Sequence, residues 1–365
     1  MAGIRPFVEG DVARVADLVW KILHEQQGSA PSSLRAYIDK LFLRNPWFEE
    51  SISSLVCEDS EGKVVGFFGV VPRPMSIQGK TVRLAFGSNF VVEAGSRASF
   101  AAMQLVNAFM KGPQDISITD SATEGARQLL RSLGFTVVPI YSLVWARPLR
   151  PSLYALRGAA RLKKNKAIAT IGTLASPVCR VADYLAATMR VSPFHQTSPA
   201  TKAEVLDTET LLQCLTRIPG KHWLVPDYTR ESLEWVLEFV KERNAYGDLR
   251  KIVLRDEKGR IIGWYIYGLK SDGIGEVLQI GAEGTSVGKI LDHLFHEAWQ
   301  DNLIGLHGRL EPQFMEELTL RSSFFLRNGS WTLAHSRRPE LLGPIFSGNA
   351  FFSRLDGEGC LRFGA

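Results

Sequence analysis

The order of elements between Leu84 and Phe135 narrows the choice of fold more than any other feature of this chain. An apolar run, Leu84 to Glu93 (LAFGSNFVVE), reads as a strand, and small residues, Ala94-Gly95-Ser96-Arg97-Ala98-Ser99, lead it into a helix ending near Met110. Ala98, Ala101, Ala102, Leu105, Val106 and Phe109 recur at helical spacing, so that helix carries one apolar stripe for a sheet. Asp115 to Asp120 (DISITD) makes a second strand. Ala126, Leu129, Leu130 and Leu133 mark a second amphipathic helix, stopped by Gly134 and followed by Phe135. A turn of small residues opening a helix leaves its first backbone N–H groups unpaired at the positive end of the helix dipole. A pyrophosphate fits such a place.

This order of strand, Arg-x-x-x-x-Ala turn, helix, strand, helix and Leu-Gly-Phe resembles the acetyl-CoA site of the GNAT (GCN5-related) N-acyltransferase superfamily. In that family a Gln/Arg-x-x-Gly-x-Gly/Ala turn binds the CoA pyrophosphate through main-chain amides, and here the turn reads Arg97-Ala98-Ser99-Phe100-Ala101-Ala102. The resemblance implies that Val92, Gly95, Ser96, Arg97, Ala98, Ser99, Phe100 and Ala101 receive acetyl-CoA or another acyl-CoA as co-substrate, with no metal. Ile4-Arg5-Pro6-Phe7 is similar to the first strand of many members. Two positions depart from the pattern: Phe100 stands where Gly is usual, and Leu130 where the family often has its general-acid Tyr.

Acyl transfer to an amine needs a base for the ammonium proton, donors for the thioester oxygen and an acid for the leaving thiolate. The candidates near the turn are Glu93, with Asn89 and Ser88 earlier on its strand, Asp120 and Ser121 on the next, and Tyr141 on the strand after Leu-Gly-Phe. Strand alternation puts Asn89 and Glu93 on one face. The plain alternatives are a solvated strand-end carboxylate for Glu93 and a core or edge tyrosine for Tyr141.

The first half has an echo in the second. Val56 to Phe68 (VCEDSEGKVVGFF) lies on Val253 to Tyr265 (VLRDEKGRIIGWY) without a gap, both reading as hairpins around an acidic, Gly-bearing turn. Gly95-Ser96 finds Gly284-Thr285 ahead of a second helix, Val287 to Trp299, and Leu130-Arg131-Ser132 finds Leu320-Arg321-Ser322. Matches at nearly constant offset indicate a duplicated unit. The expected fold is therefore α/β (α+β): two GNAT-like domains, each a mixed, mostly antiparallel sheet flanked by helices. The boundaries read as 1–148 for the donor domain, 149–208 for a basic helical connector and 209–365 for the second domain. The tail from Arg337 reads as extended chain packed on the second sheet.

The basic excess is concentrated in the connector, where Arg147 to Arg190 holds nine basic residues and one acidic, Asp183. Such a segment suits an anionic membrane surface, through a basic amphipathic helix, or an acidic acyl-carrier protein. No binding motif accompanies the charge, which argues against nucleic acid. Cys57, Cys179, Cys214 and Cys360 form no C-x-x-C pair, and Glu9 and Asp11 break any secretory pattern at the start, so a reducing cytoplasmic setting is expected. Glu283 to Lys289 fails as a P-loop, since Glu283 replaces its first Gly and Ile290 its Ser/Thr. His293 and His296 share a helix face, but no Glu or Asp at ligand spacing makes a metal site compelling there.

The resemblance implies transfer of an acyl group from acyl-CoA, or an acyl-carrier protein, to an amine of a small molecule, amino sugar or peptide. Two alternatives stay open: a non-catalytic scaffold with a decayed site, and an aminoacyl transferase like the FemAB peptidyltransferases.

Overall fold

Strand and helix alternate through the chain in two sheets of matching topology. The computed structural model describes residues 3–95, 98–163, 166–196, 198–217, 224–242, 245–327 and 329–363, the side chains of 160–175 excepted. The units are interleaved: one comprises Met1–Ser142, Pro219–Phe239 and Gly329–Ala365, the other Leu143–Ile218 and Val240–Asn328. A linear reading places the divisions near 148 and 208.

In the first unit the strands are β1 (Gly3–Pro6), β2 (Leu55–Glu58), β3 (Val64–Ile77), β4 (Lys80–Val92), β5 (Ile116–Ala122), β6 (Thr136–Val137), β9 (Leu224–Pro226) and β15 (Trp331–His335). Their order is β1-β2-β3-β4-β5-β15-β6, with β9 paired to β3. β4 and β5 run parallel; the other neighbours are antiparallel. Helix α3 (Ala98–Met110) is the crossover between the parallel strands, and α4 (Glu124–Ser132) follows β5. Alternation along β4 divides the core. Leu84 and Phe86 pack with Ile116, Ile118, Ile345 and Phe352 on one face. Ala85 packs with Leu105, Val106, Phe109 and Leu130 on the other.

The second unit repeats the plan. Its strands are β7 (Leu143–Pro148), β8 (Lys202–Val205), β10 (Asp248–Arg255), β11 (Ile261–Leu269), β12 (Ile274–Ala282), β13 (Gly305–Arg309) and β14 (Phe324–Arg327), in the order β14-β7-β13-β12-β11-β10-β8. The parallel pair is now β12 and β13, crossed by α9 (Val287–Gln300). The echoed hairpins are thus β2-β3 and β10-β11, and the echoed helices α3 and α9. Each sheet is completed by a strand distant in sequence from its parallel pair: β7 lies on β13, and β15 on β5.

Two expectations change here. Tyr141 lies in a single helical turn, Ile140–Ser142, because its ring is buried and its hydroxyl donates to the Ala350 carbonyl at 2.7 Å. The C-terminal segment packs on the first sheet, where Leu342, Ile345, Ala350 and Phe352 fill the core beside Met75, Val82 and Leu84. Within the connector, helices α5 (Pro151–Lys163) and α6 (Lys166–Thr188) belong to the second unit.

Candidate functional site

The parallel pair of the first sheet opens along its length. β4 and β5 are joined from Leu84↔Ile116 to Phe86↔Ile118, and no pairing between them continues beyond that. Past Phe86, β4 keeps β3 as its partner on one side and, among the described residues, has no strand partner on the other. A cavity of about 410 Å³ fills the opening, lined by residues of both strands, among them Gly87, Ser88, Asn89, Phe90, Thr119 and Ser121. Phe68 and Leu130 also line it, as do Glu358 and Arg362 from the C-terminal segment. Gly87 is required by close approach: a Cβ there would stand 2.7 Å from the Phe68 ring.

A β-bulge shapes the near wall. Between Phe67↔Val91 and Gly69↔Ser88 the single residue Phe68 faces two, Asn89 and Phe90, and Asn89 takes a φ of +48°. An extra residue in a bulge is left out of the ladder and re-aims the strand. The two-residue alternation that would align Asn89 with Glu93 is broken at that point. Asn89 lines the cavity and donates to the Tyr37 hydroxyl at 2.9 Å. Glu93 does not line it: Lys21 and Lys63 hold its carboxylate at 2.6 and 2.7 Å. Those hydrogen bonds keep Glu93 below the ordinary carboxylate range. A Glu93→Gln variant should cost under about 1 kcal/mol of stability, the scale of exposed ion pairs; urea melts check it.

The carboxylate that does reach the cavity is Glu358. It is buried, accepts hydrogen bonds from Ser88 Oγ at 3.1 Å and from Ser121 Oγ, and so spans the two diverging strands. Its backbone N–H donates to Asp120 Oδ1 at 3.2 Å, and Arg362 Nε lies 3.9 Å from its Oε1. Burial pushes the Glu358 carboxyl above its usual value; Arg362 pulls it down, Asp120 raises it further, and the serines draw it down. A buried carboxyl raised in this way has the character of a candidate general base. Sequence reasoning named Ser88, Asn89, Asp120 and Ser121 as candidates, and they meet here around a residue it did not name. The available signal was an acid between glycines, Gly357-Glu358-Gly359, just after the apolar pair Phe351-Phe352. Tyr141 is not part of the cavity lining.

At the start of α3, Ala98 N–H donates to Gly95 O at 3.1 Å. Ser96 and Arg97, assigned to the pyrophosphate turn, lie outside the described residues. Ser99 and Phe100 are exposed, Phe100 by 53%, while Ala101 packs into the core. The Phe100 ring is not among the groups that line the cavity. Val92, on the last turn of the ladder, is partly buried against the α3 core.

The equivalent place in the second unit differs. Its parallel pairing also ends early, at Val277↔Gly308, but tryptophans crowd glycines of both strands. A Cβ on Gly281 would stand 2.2 Å from the Trp264 ring, and one on Gly308 2.7 Å from that of Trp145. Both indoles are fully buried. His293 there bonds Tyr265 Oη at 2.8 Å, and no cluster of three or more His, Cys, Asp or Glu suited to a metal occurs among the described residues. No helix among them is long and apolar enough to cross a membrane.

No protein-family model and no curated protein matches this chain. Solved structures do. A probable N-acyltransferase of Enterococcus faecalis V583, described as a conserved protein of unknown function, superposes at TM-score 0.60 with 9% identity, covering 94% of this chain and 74% of its own. A GCN5-related N-acetyltransferase from Anabaena variabilis gives TM-score 0.59 at 12% identity, over 92% and 73%. Eis1 from Mycobacterium abscessus gives 0.52 at 10%, over 92% and 74%. An opened parallel pair crossed by one helix, in a chain that superposes on these proteins over nine-tenths of its length, means that this chain has the GCN5-related N-acetyltransferase (GNAT) fold.

Proposed function

We propose that this protein is an N-acyltransferase whose donor, an acyl-CoA, lies between the diverging ends of β4 and β5. The observation that carries this reading is the edge of β4 beyond Phe86, without a strand partner among the described residues and facing a cavity between two strands of the same sheet. Backbone N–H and C=O groups on an open edge pair with any extended ligand that carries amides, as a pantetheine arm does. The group fits: the opening is walled by Gly87, Ala122 and Ala126, and the exposed Phe100 ring leaves the cavity clear. An acyl-CoA supplies an activated carbonyl and a thiol leaving group.

The chain's own residues supply the rest. The pyrophosphate is assigned to main-chain amides from Gly95 through Ala101, Ser96 and Arg97 included, with Val92 leading into the turn. The bulge at Asn89 and Phe90 frees a main-chain N–H in the cavity wall to hold the thioester oxygen. Glu358, steadied by Ser88 and Ser121, takes the proton from the acceptor amine, which belongs to a small molecule, amino sugar or peptide. Asp120 positions the Glu358 backbone. Glu93, engaged by Lys21 and Lys63, takes no part.

Acetyl-CoA and longer acyl-CoAs should raise the melting temperature, since a ligand at 100 times its Kd stabilises by about 2.7 kcal/mol. Thiol release with a panel of amines then identifies the acceptor. A second reading, a binding module without turnover, is favoured by Leu130, whose side chain is buried in the cavity wall where a phenol would serve as acid. It predicts the same thermal shift with no thiol released for any amine. If no donor shifts the melt, the acyl-CoA reading is wrong.

A further inference from the structure

Helix α6 carries an apolar row that its own unit leaves uncovered. Val178 is 73% exposed, and Val181, Tyr184 and Leu185 are each more than half exposed. Positions 178, 181 and 185 fall on one side of a helix, with 184 at its edge. Met189 and Val191, the latter 88% exposed, extend the row past the helix end. Scattered exposed apolar residues are ordinary, but a contiguous row of large ones marks a contact surface.

Charge decides what can cover it. The only acid among the residues from Arg147 to Arg190 is Asp183, and it is turned inward. Asp183 is fully buried, and its carboxylate accepts from the backbone N–H of Ser152 at 2.7 Å and of Leu153 at 3.1 Å, capping the first turn of α5. Arg180 and Arg190, by contrast, are exposed beside the row. The described part of this segment therefore offers solvent large apolar groups flanked by cations, with its one carboxylate withdrawn.

We propose that this face of α6 docks on the surface of an anionic phospholipid bilayer, lying on it without spanning it. A second copy of the same face would set cations against cations. An acidic carrier protein would answer the arginines without needing so long an apolar row. A bilayer answers both: valine, leucine and methionine enter the acyl boundary, Tyr184 sits at the headgroup level, and the arginines meet the phosphates. This inference does not depend on the acyl-transfer reading.

Co-sedimentation of the full chain with phosphatidylglycerol/phosphatidylcholine vesicles tests it against pure phosphatidylcholine vesicles. Binding to the anionic vesicles should be tighter by about tenfold or more, and should weaken as salt is raised. The double variant Val181→Glu/Leu185→Glu should lose about tenfold or more of it, and Arg180→Gln/Arg190→Gln should lose most of the salt dependence. All four side chains are exposed, so an unchanged melting temperature shows that the fold survives. Absence of binding, equal binding to both vesicle types, or full binding by the glutamate variant overturns the proposal. So does a dimer in sedimentation velocity that the glutamate variant dissolves, or capture of an acidic carrier protein by a chain that ignores vesicles.

Discussion

Glu358→Gln should lower kcat by about 100-fold or more, the usual range for a lost general base, while leaving the acyl-CoA thermal shift intact. Glutamine keeps an acceptor for Ser88 and a group for Ser121, so the bridge between the strands persists and only the proton site is gone. Two further readouts separate a base from a strut. Because burial raises the Glu358 carboxyl, wild-type kcat should climb as pH rises through that raised value, and the glutamine variant should lose this limb. Stability runs the other way. A carboxyl raised in the folded state contributes stability that is full below its ordinary unfolded value and lost as pH rises through the folded one. At neutral pH the variant should therefore melt higher than wild type, and the gain should vanish in acid. A variant with unchanged turnover and a lower melting point would show that Glu358 only ties β4 to β5.

Gly87→Val should abolish the acyl-CoA thermal shift. The added Cβ would stand 2.7 and 2.8 Å from two atoms of the Phe68 ring. That ring cannot yield freely, being packed against Phe90 at 5.0 Å and Phe109 at 4.8 Å between centroids. Since Phe68 lines the cavity, displacing it narrows the space between the strands. Overpacking of this kind costs about 1–3 kcal/mol, so the variant should fold, melt lower and ignore every donor. Gly87→Val with an undiminished donor shift would place the ligand elsewhere.

Much of the first unit was legible because its signals are local. The stripe Ala101, Leu105, Val106 and Phe109 needs only helical spacing, and Gly134 stops α4 as a left-handed glycine at a φ of +107°. The gapless echo located the second sheet's hairpin. Part of the cavity lining could be read as well, since Ser88, Asn89 and Ser121 sit on adjacent parallel strands and line it. What was not legible depends on long-range pairing. Nothing near Trp331 says that it will pair with Ala122, and nothing near Val144 says that it will face Arg309. Glu358 reaches Ser88 across 270 positions of sequence. Phe90 and Asn89 look like ordinary strand residues, yet the bulge that undoes their alternation is set by Phe68 on the neighbouring strand.

The interior position of β15 has a consequence for biosynthesis. β15 lies between β5 and β6, so the early sheet stays gapped until residues 331–335 have left the ribosome. Every residue between β5 and β15 must be translated before that layer can close. Until then the Ala122 end of β5 is an unsheltered template, the kind of edge that chaperones guard in slow, high-contact-order folding.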